Sequence, residues 1–378
     1  MSEKACASLS EAFGGMSDPR VEGRCEHKLL DILIIAICGV ITGAESWVEI
    51  ETFGKLKEEK LRTFLDLAEG IPSHDTFGRV FGALEAEEFQ KGFARWVEGV
   101  FQVSEGQVIA IDGKTVRCSH DKTIGKDAIH MVSAWASANG IALGQRKVDD
   151  KSNEITAIPE LLRLLDVEGC IVTIDAMGCQ KEIAQTIRDE KADYVLRVKD
   201  NQAHLHQDIQ DWFEYADRVQ FAHINSTYHE TVNKGHGRIE IRRCWAIADP
   251  VAFEYIRHYE GWAGLQTLVR VQRERRLSRK VEVETAFYIS SLPNQARPIL
   301  AAIRAHWSIE NSFHWVLDVT FGEDNSRIRA GESPQNMAVL RHLALNILKV
   351  DTSKGSLRNK RYRAALDDSF LFSLLAQF

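Results

Sequence analysis

Short apolar segments alternate with helical segments through residues 107–213, and this pattern limits the possible folds more than any other feature of the chain. The predicted strands are 107–112, 129–137, 141–149, 170–176 and 193–199. Predicted helices follow the last three strands, at 153–166, 179–190 and 201–213. Because the order is β-β-β-α-β-α-β-α, the sequence predicts an α/β fold built around a sheet.

The segments on either side of this pattern have a different character. The residues before it are predicted to be mostly helical. In the residues after it, apolar and polar side chains alternate as they do in strands, and two long helices then follow at about 294–318 and 334–350. We predict a helical N-terminal region at 1–100, followed by the first part of an α/β core at 101–218. A β-rich insertion is predicted at 219–292, the completion of the core at 293–350 and a C-terminal tail at 351–378.

The charge of the chain excludes one class of protein and draws attention to two segments. A net charge of −7 is not that of a histone-like protein. Residues 238–280, however, carry ten Lys and Arg against five Asp and Glu, and residues 327–363 carry nine against two. Each segment is suited to face a polyanion, or is simply a solvated surface.

The cysteines and the apolar run near the N-terminus bear on the cellular compartment. Seven cysteines without a CxxC pair predict neither a zinc site nor a disulfide framework, which suggests a reducing cytoplasm. No signal peptide is expected. The apolar run 29–44 contains Asp31 and is shorter than the roughly 20 residues that span a bilayer, so we predict a buried helix and no membrane segment.

The segment 75–101 repeats apolar residues every three to four positions, which predicts a helix that starts after Pro72 and Ser73. Two roles fit this helix. It is either the reading helix of a helix-turn-helix, directed at DNA, or a plain structural helix. In the first case the DNA-facing residues are Ser73, His74, Thr76 and Arg79.

Two of the predicted strands lead directly into a carboxylate, Asp112 after VIAI and Asp175 after IVTI. Each has an ordinary structural interpretation, Asp112 in an Asp-Gly hairpin turn and Asp175 as a turn residue or helix N-cap. Sites in open α/β sheets, however, are built at strand ends. Two carboxylates side by side repel each other unless a cation lies between them, so the pair predicts a metal site.

A third carboxylate comes from the predicted helix 294–318. On a helical wheel Glu310 falls on the apolar face with Ile309 and Phe313, whereas Asp318 falls at the polar edge. A buried, unpaired charge is costly, so Glu310 requires either a metal ion or an arginine partner. Two Asp and one Glu form an all-oxygen set that suits Mg²⁺ or Mn²⁺ and promotes phosphoryl transfer.

Long motifs run through nearly the whole chain in a fixed order. They include IPSHDTFGRVF (71–81), IAIDGKTVR (109–117), TIDAMGCQKEIA (173–184), DYVLRVKDNQ (193–202) and HWSIENSFHWVLDVTFGEDNSRIR (306–329). With these motifs the chain resembles the DDE transposases of bacterial insertion sequences, and specifically their H-repeat-associated (ISAs-type) group.

The resemblance implies a ribonuclease-H-like mixed-sheet core whose first strand is central and whose fourth strand lies beside it. It implies that Asp112, Asp175 and Glu310 are the catalytic acids and the ligands of Mg²⁺, for which Mn²⁺ substitutes. The strand-rich segment 219–292 then corresponds to the β insertion that relatives carry before the Glu. The implied activity is cleavage of double-stranded DNA at element ends and strand transfer into target DNA, by a homo-oligomer at the bacterial nucleoid.

The chain departs from the family pattern around the third acid. Many related transposases carry Tyr, Arg and Lys at fixed offsets from the Glu, where this chain has Ile303, His306 and Leu317. His306 is the candidate to replace the Arg in contacting a phosphate.

Four further residues are candidates for contact with nucleic acid: Lys114, Lys199, His236 and Arg238. Each also fits an ordinary turn or solvated surface. Trp245 and Trp262 either stack on a flipped base or pack within the insertion. Two other functions remain open from the sequence. They are a catalytically inactive or domesticated DNA-binding remnant, and a host nuclease of the same fold that cuts without preference for particular ends.

Overall fold

A computed structural model describes residues 8–21, 23, 25–102, 104–120, 125, 127–149, 153–235, 237–277 and 280–376. The predicted DNA contact His236 lies outside the described residues.

The described N-terminal region is helical, with α1 Leu9–Phe13, α2 Leu29–Thr42, α3 Trp47–Leu61, α4 His74–Ala83 and α5 Ala86–Val100. The predicted buried helix is confirmed, because α2 is buried from Asp31 to Ile41. The prediction of one helix over 75–101 is wrong. Leu84 adopts an extended backbone with ψ of 122° and separates α4 from α5. Its side chain is fully buried, so the apolar periodicity continues across the break and hides it.

The elements that follow confirm the predicted order. They are β1 Val108–Thr115, β2 His130–Ala136, β3 Ile141–Lys147, α6 Glu154–Leu162, β4 Ile171–Ile174, α7 Lys181–Asp189, β5 Asp193–Val198 and α8 Ala203–Arg218. Gly140, with φ of +67°, completes the predicted turn between β2 and β3. The hairpin-turn interpretation of Asp112 is wrong, because β1 continues to Thr115 and holds both Asp112 and Gly113 within the strand.

The strand-rich segment contributes β6 Ser226–Gly235, β7 Arg238–Ile247, β8 Thr267–Arg276 and β9 Val281–Ser290, with α9 Pro250–Tyr255 between β7 and β8. All described strands form one nine-stranded sheet of order β3-β2-β1-β4-β5-β9-β8-β7-β6. β4 runs parallel to β1 and β5, whereas the other neighbouring pairs are antiparallel. The order β3-β2-β1-β4-β5, with β1 central, confirms the expected ribonuclease-H-like mixed sheet, and β6–β9 extend it beyond β5.

The remaining elements are α10 Ala296–His306, α11 Trp315–Phe321, α12 Ser333–Val350, α13 Leu357–Leu366 and α14 Asp368–Leu375. The prediction of one helix over 294–318 is wrong in its middle, where a π-helical turn at Glu310–His314 separates α10 from α11. The helix predicted at 334–350 is confirmed as α12, whose side chains from Asn336 to Leu348 are buried. α12 packs against α2, α4, α5 and β3, and so joins the N-terminal helices to the sheet.

No single helix in the described part of the chain has both the length and the apolar character needed to cross a membrane. Helices α2 and α3 meet the length and composition requirement only as a pair, which is bent by 98°.

Candidate active site

Asp112 and Asp175 lie at neighbouring positions on adjacent parallel strands. Ile111 of β1 is paired with Ile174 of β4, so each aspartate is the residue that follows this pair. β1 continues past Asp112 because β2 still pairs with it there, opposite Ser133, whereas β4 ends at Ile174. The register therefore brings the two carboxylates to the same edge of the sheet, as the strand pattern predicts.

One cavity of about 200 Å³ contains all three predicted acids. Asp112, Asp175 and Glu310 line it, and so do two of the predicted nucleic-acid contacts, Lys199 and His306. Arg197, Tyr288 and Trp307 complete the polar and aromatic part of its wall. Residues far apart in the sequence are thus assembled around a single concave site by β1, β4, β5 and α10.

Glu310 reaches this cavity from an exposed position, so its predicted place on the buried face of a helix is wrong. The helical wheel assumes one regular α-helix, but α10 ends at His306, a turn follows at Trp307, and a π-helical turn begins at Glu310. Ile309 and Phe313 remain fully buried on either side, while Glu310 turns outward. Exposure into the cavity leaves the carboxylate free to meet a ligand.

Burial and the neighbouring carboxylates dominate the electrostatics of Asp112. Burial, and then the neighbouring charge of Asp175, raise the pKa of Asp112 to about 7, with smaller contributions from Glu154 and Glu310. Among the described residues, Asp112, Asp175 and Glu310 have no direct ion-pair partner from Lys or Arg.

His314 is the nearest basic side chain to Asp112, with 3.5 Å between its Nδ1 and Oδ2 of Asp112. Burial, and then the charge of Lys114, lower the pKa of His314 to about 4, so the ring is neutral near pH 7. A neutral imidazole at this distance does not cancel the charge of the carboxylate.

The donor set fits a divalent cation in chemistry and charge. The three carboxylates supply only hard oxygen ligands, and Oδ1 of Asp175 already accepts the Met177 N–H at 3.0 Å, which holds this side chain in place. Among the described residues, however, no three acidic, histidine or cysteine side chains stand around one point as metal ligands. Asp112 and Asp175 are the residues best placed to hold the ion, with Glu310 across the cavity.

His306 and Lys199 occupy different parts of the cavity wall. The Nδ1 of His306 lies 3.0 Å from Oγ1 of Thr173 on β4, and burial lowers the pKa of the ring. Lys199 directly follows β5 and is exposed at the rim. Both are placed to contact a ligand that reaches the acids.

Lys114 has partners of its own outside the cavity. Its Nζ contacts Oε2 of Glu323 at 2.7 Å and also pairs with Asp318. Only 13% of the Lys114 side chain is exposed, and Glu323 is buried. The structure therefore gives Lys114, a predicted DNA contact, two partners within the protein, Asp318 and Glu323.

The other candidates are dispersed. Arg238 pairs with Glu240, with 2.9 Å between Nε and Oε1, and lines a second cavity next to the acids. Trp262 is buried and the indole of Trp245 is covered by the Arg270 guanidinium at 4.3 Å, so both pack within the protein. The residues that the sequence missed are His314, Arg197 and Trp307. Only Arg197 could have been predicted from the sequence. It lies two positions before the candidate Lys199, and residues two apart in an extended chain point to the same side.

The predicted DNA-facing residues of the N-terminal region have intramolecular partners. Ser73 caps α4 through a hydrogen bond from the Thr76 N–H, and Nδ1 of His74 lies 2.6 Å from a carboxylate oxygen of Glu51. Arg79 donates to the Thr76 hydroxyl at 3.4 Å. These contacts stabilise α4 and its packing against α3. The role of α4 as a DNA-reading helix stays a prediction.

Comparison with known proteins agrees with this architecture. The family model described as "Transposase DDE domain" matches residues 104–347, and the one described as "DDE_Tnp_1-associated" matches residues 10–97. The chain belongs to the DDE transposase family. Its relatives include H repeat-associated proteins, which confirms the group that the sequence motifs predict.

Two relatives from Escherichia coli match almost the full chain. YncI of O157:H7, provisionally named a transposase, is 42% identical over 98% of this chain and 94% of its own. YhhI of strain K12, provisionally named an H repeat-associated transposase, is 40% identical over 97% of both chains. Among solved structures, the piggyBac transposase in a synaptic complex with hairpin DNA covers 99% of this chain and 78% of its own, at 10% identity and a TM-score of 0.43.

Proposed function

We propose that this chain cleaves DNA at the ends of an insertion sequence with Mg²⁺ and then joins the freed 3′-hydroxyl to target DNA. The observation that carries the proposal is the shared cavity of Asp112, Asp175 and Glu310, whose charges have no Lys or Arg partner among the described residues. Membership of a family that generally uses divalent metal ions supports it.

The residues have distinct roles in this proposal. Asp112 and Asp175 hold the metal, and Glu310 completes the ligand set. When bound, Mg²⁺ or Mn²⁺ supplies activation of the attacking oxygen and stabilisation of the leaving oxygen. Lys199 at the rim contributes positive charge for the DNA backbone. His306, whose Nδ1 lies 3.0 Å from Oγ1 of Thr173, is the candidate among the cavity residues to contact a phosphate.

We further propose that the protein works on double-stranded DNA as a homo-oligomer, because two element ends must be cut and joined together. Its place of action is then the bacterial nucleoid. Mass measurement by light scattering on DNA that carries both ends checks this, and a chain that remains monomeric there contradicts the oligomer.

The test uses DNA that carries the gene's own flanking sequences, incubated with purified protein and Mg²⁺ or Mn²⁺. We expect cuts at the boundary of the repeat, which Asp175→Asn and Glu310→Gln abolish. Glu214→Gln is the matched control, because Glu214 is an exposed acid on α8 that does not line the cavity. Full metal-dependent cleavage by Asp175→Asn contradicts the proposal. If Asp175→Asn abolishes cleavage but Glu310→Gln does not, the third ligand is another acid.

A second function, a DNA-binding remnant without catalysis, is favoured by one observation. Within the described residues the three acids are not arranged around one ion. The same experiment separates the two functions, since a remnant binds the flanking ends specifically and leaves them uncut under every metal condition.

A further inference from the structure

A second cavity, of about 300 Å³, adjoins the acid cavity and is rich in arginine. Five arginines line it against two carboxylates, Glu240 and Glu284; the arginines are Arg197, Arg238, Arg242, Arg273 and Arg304. We call this cavity the arginine cleft. It holds three more formal positive charges than negative ones, in a chain whose net charge is −7. Such a local excess is typical of a site for a polyanion.

Several donors in the arginine cleft lack an acceptor. The buried atoms Nε of Arg197, Nη1 of Arg242 and Nε of Arg273 make no hydrogen bond within the described part of the chain. Arg304 is exposed on α10 and forms no ion pair with any described residue. A buried donor without an acceptor costs free energy, and guanidinium groups match phosphate oxygens in geometry and charge. An anionic ligand such as a phosphate would supply the acceptors that these donors lack.

Glu240 holds the arginines close together without neutralising them. It is buried, and Arg238, Arg242 and Arg273 all contact its carboxylate. Burial lowers the pKa of Arg242, and the positive charges of Arg304 and Arg273 lower it further. One carboxylate thus gathers three of the five guanidinium groups of the cleft, besides that of Arg275, and the remaining positive charge faces the cleft.

The arginine cleft is continuous with the acid cavity. Arg197, Tyr288, Ile303 and Trp307 line both. The Trp307 side chain, at this junction, is 47% exposed although it is a large indole. A positively charged groove with an exposed aromatic side chain is the arrangement that binds single-stranded nucleic acid, because an unpaired base offers a face for stacking. A double helix offers phosphates but no free base face, so Trp307 favours an unpaired strand.

We infer that the arginine cleft binds the unpaired DNA strand that extends from the bond held at the acids. The arginines contact successive phosphates and Trp307 stacks on a base beside the cut. The inference rests on the proposed function for the choice of DNA, but it concerns binding and not cleavage.

The test is fluorescence anisotropy with the full-length protein in EDTA. The probes are a labelled blunt duplex of the flanking end and the same duplex with a short single-stranded extension on one or the other strand. We expect one extension to tighten binding by the wild-type protein about fivefold or more, the smallest gain that a single base–aromatic stack supplies. Arg242→Gln/Arg273→Gln removes this gain and lowers the salt dependence of binding by about two phosphate contacts.

Three further variants make the result specific. Arg304→Gln, at an exposed position, lowers the gain without risk to folding, and Trp307→Ala lowers it while Trp307→Phe keeps most of it. Arg276→Gln is the matched control, because Arg276 lies on β8 three residues from Arg273 and pairs with Glu274 on the other face of the sheet. The control keeps the full gain. Thermal midpoints confirm that each variant is folded.

Two results overturn the inference. Either the wild-type protein binds blunt and extended duplexes equally, or the gain persists in both Arg304→Gln and the folded double variant. The binding assay does not depend on cleavage, so its outcome is separate from that of the cleavage test of the proposed function. If the extension tightens binding but the protein never cuts DNA, the inference about the arginine cleft stands and the proposed function fails. If the protein cuts DNA but the extension does not tighten binding, only the inference about the cleft fails.

Discussion

Lys114 belongs to a buried ion-pair group beneath the acids. Its ammonium contacts Glu323 at 2.7 Å and pairs with Asp318, and Arg341 lies 4.0 Å from the other oxygen of Glu323. Glu323 and Arg341 are both buried. Removing one member of such a group leaves a buried charge without its partner, which costs more than the pair gains.

We therefore expect Lys114→Met to lower the free energy of unfolding by ~3–5 kcal/mol. Lys199→Met is the matched control, because Lys199 is exposed at the cavity rim, and its effect on stability is expected within ~0.5 kcal/mol. Guanidinium chloride denaturation at neutral pH measures both. If Lys114→Met is as stable as the wild-type protein but binds DNA more weakly, Lys114 contacts a phosphate instead.

At the scale of single residues, the sequence identified the carboxylates but not their surroundings. Asp112 and Asp175 stand out because each follows a mostly apolar, β-branched segment. The raised pKa of Asp112 depends on burial and on Asp175, which are properties of the assembled site. The partners of Lys114 are equally invisible in the sequence, since Asp318 and Glu323 come from the far end of the chain.

At the scale of elements, Gly113 shows why β1 passes so close to α6. Gly113 lies within β1, and a Cβ atom there would overlap the Glu154 carboxylate and the His130 ring. Glu154 is the first residue of α6, and its Oε1 lies 2.6 Å from Nε2 of His130. Glycine at this position therefore permits the close approach of a side-chain pair to the strand that carries Asp112.

We expect Gly113→Ala to displace either the His130–Glu154 pair or Asp112, at a cost of ~1–3 kcal/mol in stability and with loss of metal-dependent cleavage. Gly235→Ala is the matched control, because a Cβ atom at Gly235 on β6 meets nothing within 4 Å. Thermal unfolding and the cleavage assay measure the two effects. Wild-type stability and activity in Gly113→Ala would show that the pair moves freely and has no part in shaping the site.

Helix boundaries are the element-scale feature that the sequence predicts least well. Periodicity predicts helices over 75–101 and 294–318, and both are interrupted, at Leu84 and at Glu310–His314. Buried apolar residues continue on both sides of each break, because the packing surface continues although the backbone does not. The break at Glu310 also decides that this acid faces the cavity.

At the scale of the whole molecule, the main hydrophobic core runs from Leu9 to Leu374, and two smaller clusters of buried apolar residues accompany it. α12 is its centre, since it is buried and packs against helices of the N-terminal region as well as against β3. We expect a single calorimetric transition for the full chain, because neither the N-terminal helices nor the sheet can bury their apolar faces without α12. Two transitions, with the first abolished by removal of residues 1–100, would contradict this.

The α/β order, the family and the three candidate acids can all be predicted from the sequence, because strand and helix periodicity and the motifs are local in the chain. Tertiary structure decided what surrounds those acids. The β1–β4 register sets Asp112 beside Asp175, and the extension of the sheet through β9 brings arginines of β7 and β8 next to the same cavity. Such contacts join residues from separate parts of the chain, and no local pattern encodes the pairing of strands that makes them.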